Sequence, residues 1–270
     1  MIKYSLTNIS LPEYKNCEYF NRLNEIGIRG IEVATSRAWP DSLNSVSQEK
    51  IKHYRQLADH AGLGIVGLHS LLFGLKDLAL FADETQFNKT VEYFKVLSNV
   101  CSELGGKSLI FGSGRNKGDI SNSKALDRTY KFLELLIPTL EKDGVFICFE
   151  PLTNNDSDFI NTVSESLEIV KYSASPCVQL QLDVKAIIEN NNFSEDLITE
   201  SKTYLKHVHV NTPGLGVIGH KYTNQHERIS SFLNRIRYDG YLTIEQIMIN
   251  QNDIMSPITE SFNFVNNVYK

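Results

Sequence analysis

The sequence predicts an α/β fold, a single (β/α)8 TIM barrel spanning residues 1–270, and three observations predict it. Eight short β-rich runs alternate with longer segments of helical period, a pattern that calls for parallel strands joined by right-handed crossovers. The 270 residues suit one such barrel. No GxGxxG follows the first strand, which turns the reading away from an open dinucleotide-binding sheet.

The strands are expected at IKYSLT (2–7), IRGIEVAT (28–35), LGIVGLHS (63–70), KSLIFGS (107–113), VFICFEP (145–151), VQLQLDV (178–184), KHVHVN (206–211) and YLTIEQ (241–246). Between the third and fourth, DETQFNKTVEYFKVLSNVCSELGG places Phe87, Val91, Phe94, Leu97, Cys101 and Leu104 on one helical face, with Asp83 or Thr85 near the cap and glycines at the end. SKALDRTYKFLELLIPTLEKDG and NQHERISSFLNRIRYDG read the same way, each closing on Asp-Gly, and Pro138 is expected to kink the former or mark its last turns. No linker, low-complexity tract or short repeat interrupts the βα period.

Composition narrows the function. With 41% hydrophobic and 22% charged residues the chain reads as a soluble globular protein, and its net charge of −5 argues against a nucleic-acid partner. Cys17, Cys101, Cys148 and Cys177 form no CxxC pair, as expected of free thiols in a cytoplasmic protein rather than a disulfide framework. The opening MIKYSLTNIS has no signal-peptide core and no run approaches a membrane span, so no membrane is expected and the expected location is cytoplasmic.

In such barrels the chemistry sits at the C-terminal strand ends, so the informative residues are polar ones that alternation turns inward there. Glu150 shares a face with Cys148, Asp183 with Gln179 and Gln181, His209 with His207 and Asn211, and Glu245 with Thr243. Four consecutive strands therefore aim Glu150, Asp183, His209 and Glu245 at one axial point. Three converging carboxylates repel one another unless a cation intervenes, and carboxylate oxygens with one imidazole suit Mn²⁺, Mg²⁺, Co²⁺ or Zn²⁺. Each residue also has a plainer reading: a strand histidine is commonly a satisfied core group, Glu150 precedes Pro151, and Asp183 precedes a helix. His207 is expected to orient a neighbour or pack as a hydrogen-bonded group beneath the site. Glu32, ending the second strand, reaches the site or plays a hydrogen-bonded structural part.

The loops supply candidate substrate contacts. Trp39 in SRAWPDS (36–42), with Phe73 and Phe81 in HSLLFGLKDLALF (69–81), forms lids over a sugar ring or simply packs the long loops. Arg115 and Lys117 in GSGRNKGD (112–119) offer a phosphate or carboxylate site, although the loop lacks the GK[ST] ending of a P-loop. Lys185 meets a carboxylate or phosphate, or is an exposed loop lysine. His226 in NQHER reads as helix surface.

CFEPLTNNDSDFINTVSESLEIV, VQLQLDVKA, HVHVNTPGLGVIG and RYDGYLTIEQ, with GIRGIEVAT, GLHSLLFG and SLIFGSGRN before them, resemble the sugar phosphate isomerase/epimerase family of xylose isomerase-like TIM barrels, whose superfamily also holds AP endonuclease type 2. The resemblance runs over nearly the whole chain. It implies a metal held by Glu150, Asp183, His209 and Glu245, and a carbohydrate substrate whose proton Glu150 and Glu245 handle from opposite sides. It also puts His69 where a substrate or metal histidine is often found and Asn161 in a loop that backs the site. One departure stands out: the histidine many ketose 3-epimerases carry three residues after the aspartate is Ala186 here.

Expected, then, is a metal-dependent sugar, sugar phosphate or polyol isomerase or epimerase working through an enediolate. A dehydratase would use the same residues. The readings from other classes are an AP endonuclease-like nuclease, disfavoured by seven histidines and a negative charge, and a barrel that binds a ligand or protein without turnover. Homo-oligomerisation through the outer helices is compatible with the sequence, which carries no feature that demonstrates it.

Overall fold

The computed structural model describes residues 2–39 and 46–270. Its eight strands are β1 (Lys3–Thr7), β2 (Gly30–Ala34), β3 (Gly64–His69), β4 (Ser108–Phe111), β5 (Phe146–Phe149), β6 (Val178–Asp183), β7 (Leu205–Val210) and β8 (Tyr241–Ile244). Each pairs in parallel with the next and β8 pairs with β1, closing the barrel in sequence order. The predicted (β/α)8 fold is the observed one, and all eight expected runs contain a strand.

Alternation divides each strand between two environments. Leu6, Ile31, Val33, Leu68, Leu109, Phe111, Ile147, Phe149, Leu180, Leu182, Val208, Val210, Leu242 and Ile244 are fully buried in the apolar layer between barrel and helices. The opposite parity fills the barrel itself mainly with small or polar groups, with Ile110 an apolar exception. Ser5 and Thr243 share a hydrogen bond at 2.6 Å across the seam that closes it.

The surrounding helices are α1 (Phe20–Ile26), α2 (Thr35–Ala38), α3 (Gln48–His60), α4 (Glu84–Leu104), α5 (Asn122–Asp143), α6 (Val163–Ser173), α7 (Val184–Asn190), α8 (Glu195–Ser201), α9 (Thr223–Arg235) and α10 (Met255–Val268). Of the two candidate caps before α4 it is Asp83 that accepts from the Gln86 N–H, while Gly105 and Gly144 end α4 and α5 in the left-handed conformation. α5 runs through Pro138 and stops at Asp143, little more than a turn later. The Asp-Gly expected to end α9 does not do so: the helix stops at Arg235, and Arg237 makes the left-handed turn at φ 55°.

His226 corrects a second expectation. It is fully buried, not on the helix surface, with Nδ1 2.8 Å from the Tyr269 hydroxyl and its ring edge-on to Phe264. Burial lowers its pKa to about 4. The unfolded chain binds that proton near pH 6.5, so between 6.5 and 4 the unfolded state is the better proton acceptor and stability falls as pH falls. The shift corresponds to roughly 3 kcal/mol at full effect. A His226→Gln variant is therefore expected to flatten the melting temperature against pH across that window, and an unchanged slope would refute the assignment.

Candidate metal centre

The C-terminal strand ends converge as the alternation requires. Glu150 is the first residue past β5, Asp183 ends β6, His209 lies in β7, and Glu245 is the first residue past β8. One donor atom from each of the four falls within 4.8 Å of the others, with the first three buried and Glu245 nearly so. His209 Nδ1 sits among the acids, 3.0 Å from Glu150 Oε1, 3.4 Å from Glu245 Oε2 and 3.9 Å from Asp183 Oδ2.

Neighbours hold the acids in place. Asn211 reaches between two of them, its Nδ2 donating to Asp183 Oδ2 and to Glu245 Oε2, both at 2.7 Å, while its Oδ1 accepts from the Lys185 N–H. Gln181 Nε2 donates to Glu150 Oε1 at 2.9 Å. Asp183 accepts from the Ala186 N–H with its other oxygen and so caps α7 as well. Gly112 leaves the room Glu150 occupies, since a Cβ there would lie 2.0 Å from Glu150 Oε2. Gly112→Ala is accordingly expected to displace the Glu150 carboxylate and weaken metal uptake, which calorimetric titration with Mn²⁺ would measure.

The charge balance fits a cation. Burial drives the Asp183 carboxyl well above its usual range, and the Glu150 and Glu245 charges push it further. Burial would also neutralise His209, but Glu245 and Glu32 outweigh it and hold the imidazole protonated well above the usual range. Burial acts on Glu245 in the same raising sense, yet His209 keeps it ionised down to about 2. Asp183 and His209 thus retain protons that a divalent ion would replace, and three carboxylates with one imidazole form a donor set such ions accept.

Above the quartet opens a cavity of about 590 Å³. Its walls include His69, Ser70, Phe73, Ser113 and Lys185. His69 is buried, with Nδ1 3.1 Å from the Ser70 hydroxyl and 3.9 Å from Glu245 Oε1, and its Nε2 has no hydrogen-bond partner. Lys185 lines the wall paired to Asp156. Arg37, which sequence reading did not single out, lines it too, paired to Glu13 at 2.9 Å.

Other candidates lie elsewhere. Trp39 packs on Tyr54 with ring centroids 5.4 Å apart, and Phe81 packs edge-on against Phe159, so of the three aromatics only Phe73 lines the cavity. Pro40, Asp41 and Ser42 of the same expected lid lie outside the described residues. Asn161 donates to the carbonyls of Leu152, Thr153 and Ser157, tying the loop behind Glu150 without lining the cavity. Arg115 is fully buried and donates to the carbonyls of Gly112, Glu150 and Phe159, while Lys117 Nζ turns to the carbonyls of Gly118 and Ile120. The expected anion loop therefore spends both cations on backbone oxygens. A larger groove, about 830 Å³, runs outside the barrel between α9 and α10, away from both clusters of possible metal ligands among the described residues.

Comparison with known proteins agrees with this architecture. A family model described as a xylose isomerase-like TIM barrel matches residues 20–265. Among solved structures, a D-psicose 3-epimerase from Clostridium cellulolyticum H10 superposes with a TM-score of 0.85 at 17% identity, covering 100% of both chains. An L-ribulose 3-epimerase does so with 0.83 at 16% identity, covering 100% of this chain and 95% of its own. A 3-keto-D-glucoside 4-epimerase from E. coli gives 0.81 at 16% identity, covering 99% of this chain and 100% of its own. At these identities the likeness is one of fold. No curated protein matches the sequence.

Proposed function

The chain belongs to the xylose isomerase-like TIM-barrel family, and from that premise and the geometry of the site we propose that it is a metal-dependent sugar isomerase or epimerase. The observation that carries this reading is the convergence of Glu150, Asp183, His209 and Glu245 beneath a cavity of sugar-accommodating size. The structural neighbours named as sugar epimerases support it.

The four residues would hold one divalent ion. When bound, such an ion supplies positive charge beside the oxygen on which an enediolate's negative charge develops. Glu150 and Glu245 enter from walls three strands apart. One takes the proton from the carbon next to the carbonyl; the C–H pair becomes the C=C bond and the carbonyl π pair moves onto oxygen. The other, entering turnover protonated, returns its proton to the opposite face of the same carbon for epimerisation, or to the former carbonyl carbon for isomerisation, where the hydroxyl proton also passes from one enediolate oxygen to the other. Exchange with solvent resets both carboxyls. His69 lines the cavity, its Nδ1 3.1 Å from the Ser70 hydroxyl and 3.9 Å from Glu245 Oε1, and would help orient the substrate beside Glu245.

The substrate this cavity favours is an unphosphorylated sugar. Arg37 and Lys185, the cations of its wall, are both paired to acids of the chain, and Arg115 is spent on backbone carbonyls. A ketose 3-epimerase assignment is not made, because Ala186 is buried with no side-chain donor where that activity's histidine is expected. The nuclease reading gains no support, since His53 and His60 sit exposed on α3 rather than joining the site.

The test begins with metal content. Protein purified without chelator is expected to carry near one divalent ion per chain, reduced in Glu245→Gln, and to wash solvent deuterium into the substrate among a panel of free ketoses and aldoses. Protein that neither carries nor takes up Mn²⁺, Mg²⁺, Co²⁺ or Zn²⁺ would end this reading. Metal binding with no exchange on any sugar would leave a ligand-binding barrel.

A further inference from the structure

Glu32 lies in β2, outside the quartet, and is fully buried. Its Oε2 is 2.7 Å from His209 Nε2, and its Oε1 is 3.2 Å from His207 Nε2 but makes no hydrogen bond there. Glu32, His207 and His209 are also close enough to be considered a metal group of their own. Two ligands of one ion, each at about 2.0–2.2 Å, stand roughly 3 Å or more apart. The 2.7 Å contact is instead that of a charge-assisted hydrogen bond.

We propose that Glu32 is a positioning residue: by accepting the Nε2–H of His209 it fixes the ring so that Nδ1 presents its lone pair to the metal quartet. The inference rests on the metal reading above. An imidazole has two nitrogens, and the hydrogen bond made by one decides which of them can ligate. Here Nδ1 stands 3.0 to 3.9 Å from the three carboxylates of the quartet, whereas Nε2 points to the opposite side, where Glu32 waits. Turning the ring over would bring a carbon where Nδ1 now stands and break the contact to Glu32 at once.

The surroundings favour this role over a purely structural one. A fully buried carboxylate is costly to keep unless it is well paired, and an apolar side chain of similar volume would serve packing better. Glu32 has one oxygen satisfied and the other facing only His207. Its place among the strands also singles it out. The β2–β3 register shifts between Ile31 and Glu32, so that Glu32 stands opposite Gly67, which has no side chain to crowd it.

The experiment pairs Mn²⁺ titration calorimetry with nitrogen NMR of ¹⁵N-histidine-labelled protein, metal-free and Mg²⁺-loaded. Glu32→Leu is expected to bind Mn²⁺ roughly 10- to 100-fold more weakly than the wild type. Glu32→Gln is expected to retain most of the affinity, because its amide oxygen still accepts the Nε2–H. A protected His209 Nε2–H signal is expected in the wild type and Glu32→Gln and not in Glu32→Leu. Wild-type affinity in Glu32→Leu, or an unprotonated Nε2 in the wild type, would overturn the assignment. Should Glu32→Leu fail to fold, the wild-type Nε2 protonation state decides alone. If the wild type takes up no metal, the metal reading falls, while the Nε2–H comparison in metal-free protein still upholds or overturns the hold of Glu32 on the ring.

Discussion

Replacing Glu150 by glutamine is expected to cut solvent-proton exchange into the substrate by roughly 10³-fold while leaving the barrel folded. The substitution keeps the shape that Gly112 and Gln181 accommodate, and an amide oxygen still accepts from Gln181 Nε2. What it removes is the basic oxygen and one anionic donor of the quartet. Measuring at saturating Mn²⁺ separates the two, because a variant that merely binds metal weakly recovers its rate there and one lacking its base does not. The metal-free variant is expected to melt close to the metal-free wild type. Glu150 is among the charges that push Asp183 upward, so neutralising it relieves that repulsion, which offsets the weakened hold on the His209 ring 3.0 Å away. Near-wild-type exchange by Glu150→Gln at saturating metal would sink the proton-transfer role.

Why so much of this site was readable from the sequence follows from strand geometry. A strand has a period of two, so one correctly placed outward residue fixes the direction of every other, and His209 or Asp183 can be aimed without any long-range information. Asn211 obeyed the same parity as His209 and went unused because an asparagine at a strand end carries no charge to attract notice; its meaning lies in the two carboxylates it bridges. Glu32 was left between two roles because its partners come from β7, 175 and 177 residues away in the chain, a pairing no local pattern reveals. His226 failed for the same reason: its polar helix sequence hides a partner, Tyr269, that folds back from the C-terminal segment. Long, flexible side chains are the hardest to aim, as Arg115 shows.

Arg115 provides the second large effect. Its place in the GSGRNKGD loop suggested an anion site at the barrel mouth, yet the guanidinium turns inward, 1% exposed, with Nε 2.5 Å from the Gly112 carbonyl, Nη2 2.5 Å from that of Glu150 and Nη1 3.4 Å from that of Phe159. Its guanidinium carbon lies 5.6 Å from the centre of the Phe111 ring. Burial lowers its pKa only to about 10, so it remains charged at neutral pH. One planar fork thereby joins the loop after β4, the end of β5 and the loop before α6. The substitution Arg115→Met would keep the apolar bulk but leave those carbonyls unsatisfied at about 1–3 kcal/mol each, offset in part by no longer burying a cation. A net loss of about 3 kcal/mol is expected, roughly 6–12 °C in melting temperature. Because the Glu150 carbonyl is one anchor, Mn²⁺ affinity is expected to fall with it. Arg115→Lys recovers little, since an ammonium on a flexible stem cannot span three carbonyls as a planar fork does. Thermal unfolding and Mn²⁺ titration of the two variants decide between the roles. An anion-binding arginine would leave the melting temperature unchanged and raise KM for an anionic substrate alone, whereas a structural clamp lowers stability whatever the substrate.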